Sequence, residues 1–212
     1  MKVAPKNNMH PTPTIIIAGG QFPTHETPLS FLQKADFIVC CDGAANDFIA
    51  RGRKPDAIVG DCDSISDDNR NRFAAIIVEN NCSNCNDLTK AVAFCVEQGR
   101  TNIVILGGTG KREDHTLGNI SLLAEYMKVA DVKMITDYGI FIPINADASF
   151  DSFAGQQVSI FSIDREAVTS HNLKYPLHNA VLSNWWQGTL NESCGDFFSI
   201  KSDGRVVVFQ AF

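Results

Sequence analysis

Residues 56–64, Asp56-Ala57-Ile58-Val59-Gly60-Asp61-Cys62-Asp63-Ser64, join a short apolar run to two carboxylates placed two residues apart. Asp56–Val59 reads as a buried strand because it is brief, partly β-branched and closed by glycine. Similar runs recur on either side of it, at Thr14–Ala18, Asp36–Cys40, Ala75–Val78, Asn102–Leu106 and Val132–Ile135. Helical faces lie between some of them: Leu88, Ala91, Val92, Cys95 and Val96 share one, and Leu117, Ile120, Leu123, Ala124 and Met127 share another. Such alternation builds a mainly parallel sheet covered by crossover helices. After Tyr138 the pattern changes to short alternating segments separated by Gly, Asn, Asp and Pro, as in Gln156–Ile163, Ala180–Ser183, Asp196–Lys201 and Arg205–Phe209. The sequence therefore predicts an α/β domain over residues 1–140 and an all-β sandwich over 141–212, with the change falling between 140 and 147. The Asp203-Gly204 pair predicts a tight hairpin between the last two strands.

The chain has 212 residues, 44% of them hydrophobic, which is enough to bury a substantial core. Its formal net charge of −6 argues against broad nucleic-acid binding, so any phosphate site must be local. No apolar stretch approaches the roughly 18 to 20 residues of a membrane span, and Ile15–Ala18 after Pro11 and Pro13 reads as a strand rather than a signal peptide. The seven cysteines are an odd number, several within apolar runs, which is consistent with a reduced, cytoplasmic chain. Cys82-Ser83-Asn84-Cys85 has CxxC spacing, but no second pair of ligands accompanies it, so neither a zinc nor a redox role is assigned.

Asp61 and Asp63, read as extended chain, point the same way and can converge on Mg²⁺; an Asx-turn ending the strand is the competing structural reading. Their place beyond a strand's carboxyl end favours the ligand role, because open α/β sheets bind there. Asp87 precedes Leu88 and can either cap that helix or join the metal site, and Asp114 can likewise cap the next helix. Gly107-Gly108-Thr109-Gly110-Lys111-Arg112 lacks the residues of a Walker A motif. As a glycine-rich strand-to-helix turn it still offers amides and two cations to a phosphate, or else is a plain tight turn. Asp42 opens another helix, as a cap or as a partner for a cationic ligand. His115 reads as a structural or surface residue. Ser183-Asn184-Trp185-Trp186 pairs polar groups with the only two Trp residues, which on a strand point to opposite faces and either pack or stack on a flat ligand.

Taken together, residues 41–46 (CDGAAN), 55–65 (PDAIVGDCDSI), 86–91 (NDLTKA) and 107–120 resemble the successive motifs of the thiamine pyrophosphokinase family. Asn172–Leu177 and Leu182-Ser183-Asn184 resemble that family's thiamine-binding β region, so the likeness runs in order over about residues 14–209. The resemblance implies a homodimer with active sites at the subunit interface, and transfer of pyrophosphate from ATP to the thiamine hydroxyl. It further implies that Asp61, Asp63 and Asp87 are the magnesium-associated acids, with Arg112 and Asp114 as the Arg-x-Asp pair. Lys90, Gly108, Thr109, Gly110, Lys111 and Arg112 are then expected at ATP, and Asp42, Ser183, Asn184, Trp185 and Trp186 at thiamine. Where the family often reads Asp-x-Thr-Asp, this chain has Asn84-Cys85-Asn86-Asp87 and keeps only the last acid. Two rival readings are another magnesium-dependent nucleotide-using transferase and a non-catalytic thiamine or nucleotide sensor.

Overall fold

A computed structural model describes residues 12–212, leaving Pro11 and the residues before it outside the described part. In chain order the elements begin β1 (Thr14–Ile17), α1 (Glu26–Lys34), β2 (Ile38–Cys41), α2 (Ala44–Ala50), β3 (Ala57–Gly60), α3 (Asp67–Arg72) and β4 (Ile77–Glu79). They continue with α4 (Asp87–Glu97), β5 (Asn102–Leu106), α5 (Glu113–Tyr126), β6 (Asp131–Ile135), β7 (Gly139–Ile144) and β8 (Ala148–Asp151). The remainder is β9 (Gln157–Ser162), β10 (Ala167–His171), β11 (Ala180–Val181), β12 (Asn191–Glu192), β13 (Phe197–Ser202) and β14 (Val206–Ala211).

Among the described residues a ten-stranded mixed sheet runs β12-β9-β14-β7-β6-β5-β1-β2-β3-β4. The half from β6 to β4 is parallel, and β6 meets β7 antiparallel through Met134 opposite Phe141 and Ile135 opposite Ile140. The sheet thus continues through the change in sequence texture at residues 139–144. Its central strands are buried on both faces, as Ile15, Ile16, Val104 and Ile105 are, because helices cover them; that is why they read as unbroken apolar runs.

A separate antiparallel sheet, β11-β10-β13-β8, packs on the antiparallel half of the first. Phe150, Val168, Phe198 and Ile200 from one side meet Val158, Ile160, Val206 and Val208 from the other. The expected hairpin between the last two strands does not form. β13 pairs with β8 and β10, whereas β14 pairs with β7 and β9. Neither Asp203 nor Gly204 takes the positive φ that a two-residue type I′ turn needs, so the segment carries the chain across from one sheet to the other. Other expectations shift locally. Ala74–Ile76 is a 3₁₀ turn before β4, and only Ala180–Val181 of the segment 180–183 is strand. Leu117 lies exposed on α5, which buries Leu123 and Ala124 as expected and Tyr126 besides. Cys82 and Cys85 form a disulfide, a departure from the all-thiol expectation, while Cys40, Cys41, Cys62 and Cys95 are buried free thiols and Cys194 is exposed. No described helix is long and apolar enough to cross a membrane.

Candidate active site

In the parallel half, β2, β3 and β4 extend to one side of β1 while β5 and β6 extend to the other, so the strand order reverses between β1 and β5. The loops leaving these two strands must part at that point, and a crevice opens beyond their carboxyl ends. A cavity of about 660 Å³ lies there, lined by Gly19 and Gly20 after β1, Gly108, Gly110, Lys111 and Arg112 after β5, and Asp61, Asp87 and Lys90 opposite.

The acids converge by a different route from the one the sequence suggested. Asp61 and Asp63 are not two residues of extended chain, because Cys62 between them is left-handed (φ 64°) and buried. Its side chain packs in the core with Phe48, Ile58 and Phe73, and Arg70 donates to its carbonyl. With the middle residue turned inward, both flanking carboxylates are exposed. Asp42, also at positive φ (32°), completes a group of three, with one carboxylate oxygen of each lying within 4.8 Å of the others.

Asp42 is only 2% exposed; its Oδ2 accepts from the Ser64 amide at 3.3 Å, and its Oδ1 accepts no hydrogen bond. Burial pushes its carboxyl up to about 6; the Ser64 amide opposes the rise, and the Asp63 and Asp87 carboxyls add to it. An all-oxygen donor set with one buried, unpartnered carboxylate oxygen suits a hard cation such as Mg²⁺. Asp42, expected at thiamine, is therefore a member of the carboxylate trio.

Asp87 has another partner. Asn86, not Asp87, caps α4, its side chain accepting from the Thr89 amide at 2.9 Å. Asp87 sits in the first turn and accepts from Lys90 Nζ at 2.9 Å, and the same ammonium donates to Asp61 at 3.1 Å. Lys90 is 3% exposed on an otherwise apolar face, so its charge is committed to these two acids. Burial alone lowers its proton affinity, but the Asp87 and Asp61 hydrogen bonds outweigh that and raise it; in return Lys90 holds the Asp61 carboxyl below its usual range.

Across the cavity the two glycine loops are stitched together. Gly20 N donates to Gly107 O at 2.7 Å, and Gln21 N donates to Thr109 O at 2.8 Å. Lys111, at positive φ, reaches Asp47 and the Gly19 carbonyl, while Arg112 pairs with Asp114 and holds that carboxyl down to about 2. Thr109 and Asp114 stand outside the cavity lining, as do Ser183, Asn184, Trp185 and Trp186. The Trp pair is on a 3₁₀ turn (Trp185–Gly188) rather than a strand; Trp185 packs edge-on against Phe161, and Trp186 is 74% exposed. Three groups at the site were not singled out from sequence. Asn119 donates to Gly108 O at 2.8 Å, Arg70 holds the Cys62 carbonyl, and Gly19-Gly20 form the facing wall. Only the last had a sequence signal, a glycine pair directly after a buried strand.

The chain's sequence and fold agree with what is found among known proteins. The family model for the thiamin pyrophosphokinase catalytic domain matches residues 29–136, and that for the thiamin pyrophosphokinase substrate-binding domain matches residues 139–209. Thiamin pyrophosphokinase 1 of Caenorhabditis elegans is 30% identical over 167 residues, covering 70% of this chain and 68% of the relative. Thiamine pyrophosphokinase 1 of rice is 31% identical over 134 residues, so the chain spans about half of that relative's length, 51%. The solved thiamine pyrophosphokinase of Bacillus subtilis shares the fold with a TM-score of 0.76 at 22% identity, over 93% of this chain and 98% of that one. Two adjoining family matches and a relative covered over more than two thirds of its length lead to one conclusion: the chain belongs to the thiamin pyrophosphokinase family of enzymes.

Proposed function

We propose that the chain transfers pyrophosphate from ATP to the hydroxyl of thiamine, giving thiamine diphosphate and AMP. The observation that carries this reading is the cavity at the sheet's switch point, lined on one side by Asp61 of the carboxylate trio and on the other by a glycine-rich cationic wall. In the reaction the thiamine oxygen bonds to the β-phosphorus as its proton leaves, and the bond from that phosphorus to the bridging oxygen of AMP breaks. Asp42, Asp61 and Asp63 would hold Mg²⁺, which when bound neutralises charge on the phosphate oxygens. The exposed amides of the glycine loops orient the phosphates, and Lys111 and Arg112 offset their charge. Lys90 keeps Asp61 and Asp87 in place from behind, a supporting role distinct from the phosphate contact read from sequence.

Thiamine, a flat cation, would lie against Ser183, Asn184 and one of the Trp rings. Those residues lie outside the cavity lining of their own chain, and Trp186, Leu190 and Tyr175 expose large apolar surface in the same region. This supports a homodimer in which one subunit supplies the phosphate machinery and the other the thiamine wall. A cytoplasmic location, and a division of labour between residues 1–140 and 141–212, complete the proposal. Purified protein incubated with thiamine, ATP and Mg²⁺ should yield thiamine diphosphate and AMP by mass spectrometry. ADP with thiamine monophosphate would instead identify a single-phosphate transfer, and binding without any product would identify a sensor.

A further inference from the structure

The Cys82-Ser83-Asn84-Cys85 turn takes no part in the chemistry above, yet it lies at the edge of the same cavity, where Cys85, Asn86 and Asp87 are consecutive lining residues. Its two ends are anchored to different elements. Asn80 N donates to Gly60 O at 2.7 Å and Asn80 Oδ1 accepts from Cys82 N at 3.1 Å, which ties Cys82 to the end of β3. Beyond Cys85, Asn86 caps α4 and reaches Asn119, and Asp87 joins Lys90 and Asp61. A Cys82–Cys85 bond therefore links the end of β3, next to Asp61, to the helix turn that carries Asp87.

The Cα atoms are 5.5 Å apart, an ordinary separation for a disulfide, and both residues are partly exposed. The other thiols are poor candidates for exchange. Burial pushes the Cys95 thiol up to about 12, Cys40, Cys41 and Cys62 are also buried and shifted upward, and Cys194 has no cysteine partner among the described residues.

We propose that Cys82 and Cys85 are a reversible dithiol–disulfide site, exchanging with the disulfide of a small thiol, whose oxidation state sets how firmly Asp87 is held. One thiolate attacks the small disulfide and expels one thiolate. The second cysteine thiolate then attacks the mixed disulfide and expels the other. The protein loses two protons and two electrons, and the small disulfide becomes two thiols. Cys85, two residues ahead of the eleven-residue α4, lines the cavity and is the cysteine nearer Asp87. Reduction removes the covalent restraint on the turn, leaving only the Asn86 cap and the Lys90 pair to place Asp87.

The thiol chemistry stands independently of the proposed reaction; the effect on ATP rests on that reading. The test equilibrates the protein in glutathione buffers of graded potential, quenches with acid, alkylates and maps peptides, while Mn²⁺ affinity by electron paramagnetic resonance and KM for ATP are measured on both forms. The peptide should pass between no alkyl groups and two in one two-electron transition that survives Cys194→Ser. Cys85→Ser should leave Cys82 carrying a glutathione adduct, and Mn²⁺ affinity should fall several-fold on reduction, with Cys82→Ser/Cys85→Ser matching the reduced form. Cysteines that stay reduced throughout, or that take glutathione independently without joining, overturn the site. Equal Mn²⁺ affinity and equal KM in the two forms overturn its effect on the acids. A redox transition with altered Mn²⁺ affinity but no thiamine diphosphate from either form would leave this proposal standing and remove the proposed reaction.

Discussion

Cys62 holds a conformation that normally costs an L-residue about 1 to 2 kcal/mol, and it does so with its side chain buried and its carbonyl bound by Arg70. Those contacts offset the local strain and turn the flanking carboxylates to solvent, beside Asp42. The chemistry of the trio therefore depends on charge that is already assembled. Asp61→Asn and Asp63→Asn are each expected to lower turnover by roughly a hundredfold with the fold intact, and Asp42→Asn to do the same, because each removes one anionic ligand from the cation. Thiamine diphosphate formation at saturating Mg²⁺, alongside circular dichroism, checks this; near-normal turnover in these variants would remove the metal assignment. Arg112 is exposed at the other wall, and among the described residues its guanidinium pairs with the exposed Asp114, a surface contact it can exchange for phosphate. Arg112→Ala should raise KM for ATP by about tenfold, the loss of one charge-assisted contact, while leaving thiamine affinity unchanged. The reverse pattern in steady-state kinetics would give the glycine-rich turn a different role.

The two glycine loops form a wall only because their backbones touch. A Cβ on Gly20 would lie 2.2 Å from the Thr109 carbonyl oxygen and 2.5 Å from that of Gly107, and neither backbone group can rotate away. Gly20→Ala should force the loops apart, costing about 1 to 3 kcal/mol in urea unfolding and raising KM for ATP more than that for thiamine; unchanged values in both measurements would mean the loops move freely. The sequence made the elements on either side of this wall plain, since β1, β2, β3 and β5 are largely buried apolar runs and their order places the crevice. It was less informative where polarity and fold diverge. β8 and β10, as Ala148–Asp151 and Ala167–His171, carry only alternate buried residues, and β7 contains Pro143, which argues against a central strand although it lies past the last β6 pairing. Lys90 was expected at ATP, but its pairing with Asp61 and Asp87 was hidden, as was Asn119, a polar residue on a helix. Neither has a local signature, because each is defined by partners far along the chain. The carboxylates were found from spacing, but the left-handed Cys62 that makes them converge could not be, since a non-glycine residue gives no sign of positive φ.

At the scale of the whole molecule the two halves share a sheet and are also clasped through side chains. Arg205, just before β14, pairs with Asp164 at 2.6 Å and with Glu125 on α5. Arg205 holds the Asp164 carboxyl down to about 2, below its unfolded value, so its contribution to stability is complete above about pH 4 and is lost as the pH falls towards 2. Arg205→Met should lower the urea midpoint at pH 7, with the gap from the parent chain closing over that acid window; a gap independent of pH would assign the effect to packing. The larger consequence concerns assembly. Ser183 and the Trp pair lie outside the cavity lining, on the opposite half of the sheet from the carboxylate trio, and the proposed dimer joins them across two copies. Ser183→Ala should raise the thiamine requirement, and Asp61→Asn should lower turnover roughly a hundredfold, yet mixed dimers of the two would contain one site with every group intact. After equal mixing and random exchange, about a quarter of the parent's sites are restored, since half the dimers are mixed and each has one good site. Exchange is monitored separately by native mass spectrometry of isotope-labelled subunits, and activity is measured at low thiamine, where Ser183→Ala dimers alone contribute little. Recovery that rises with the fraction of mixed dimers requires both subunits to build one site, whereas complete exchange without recovery rejects the shared site and returns thiamine to a pocket within a single chain.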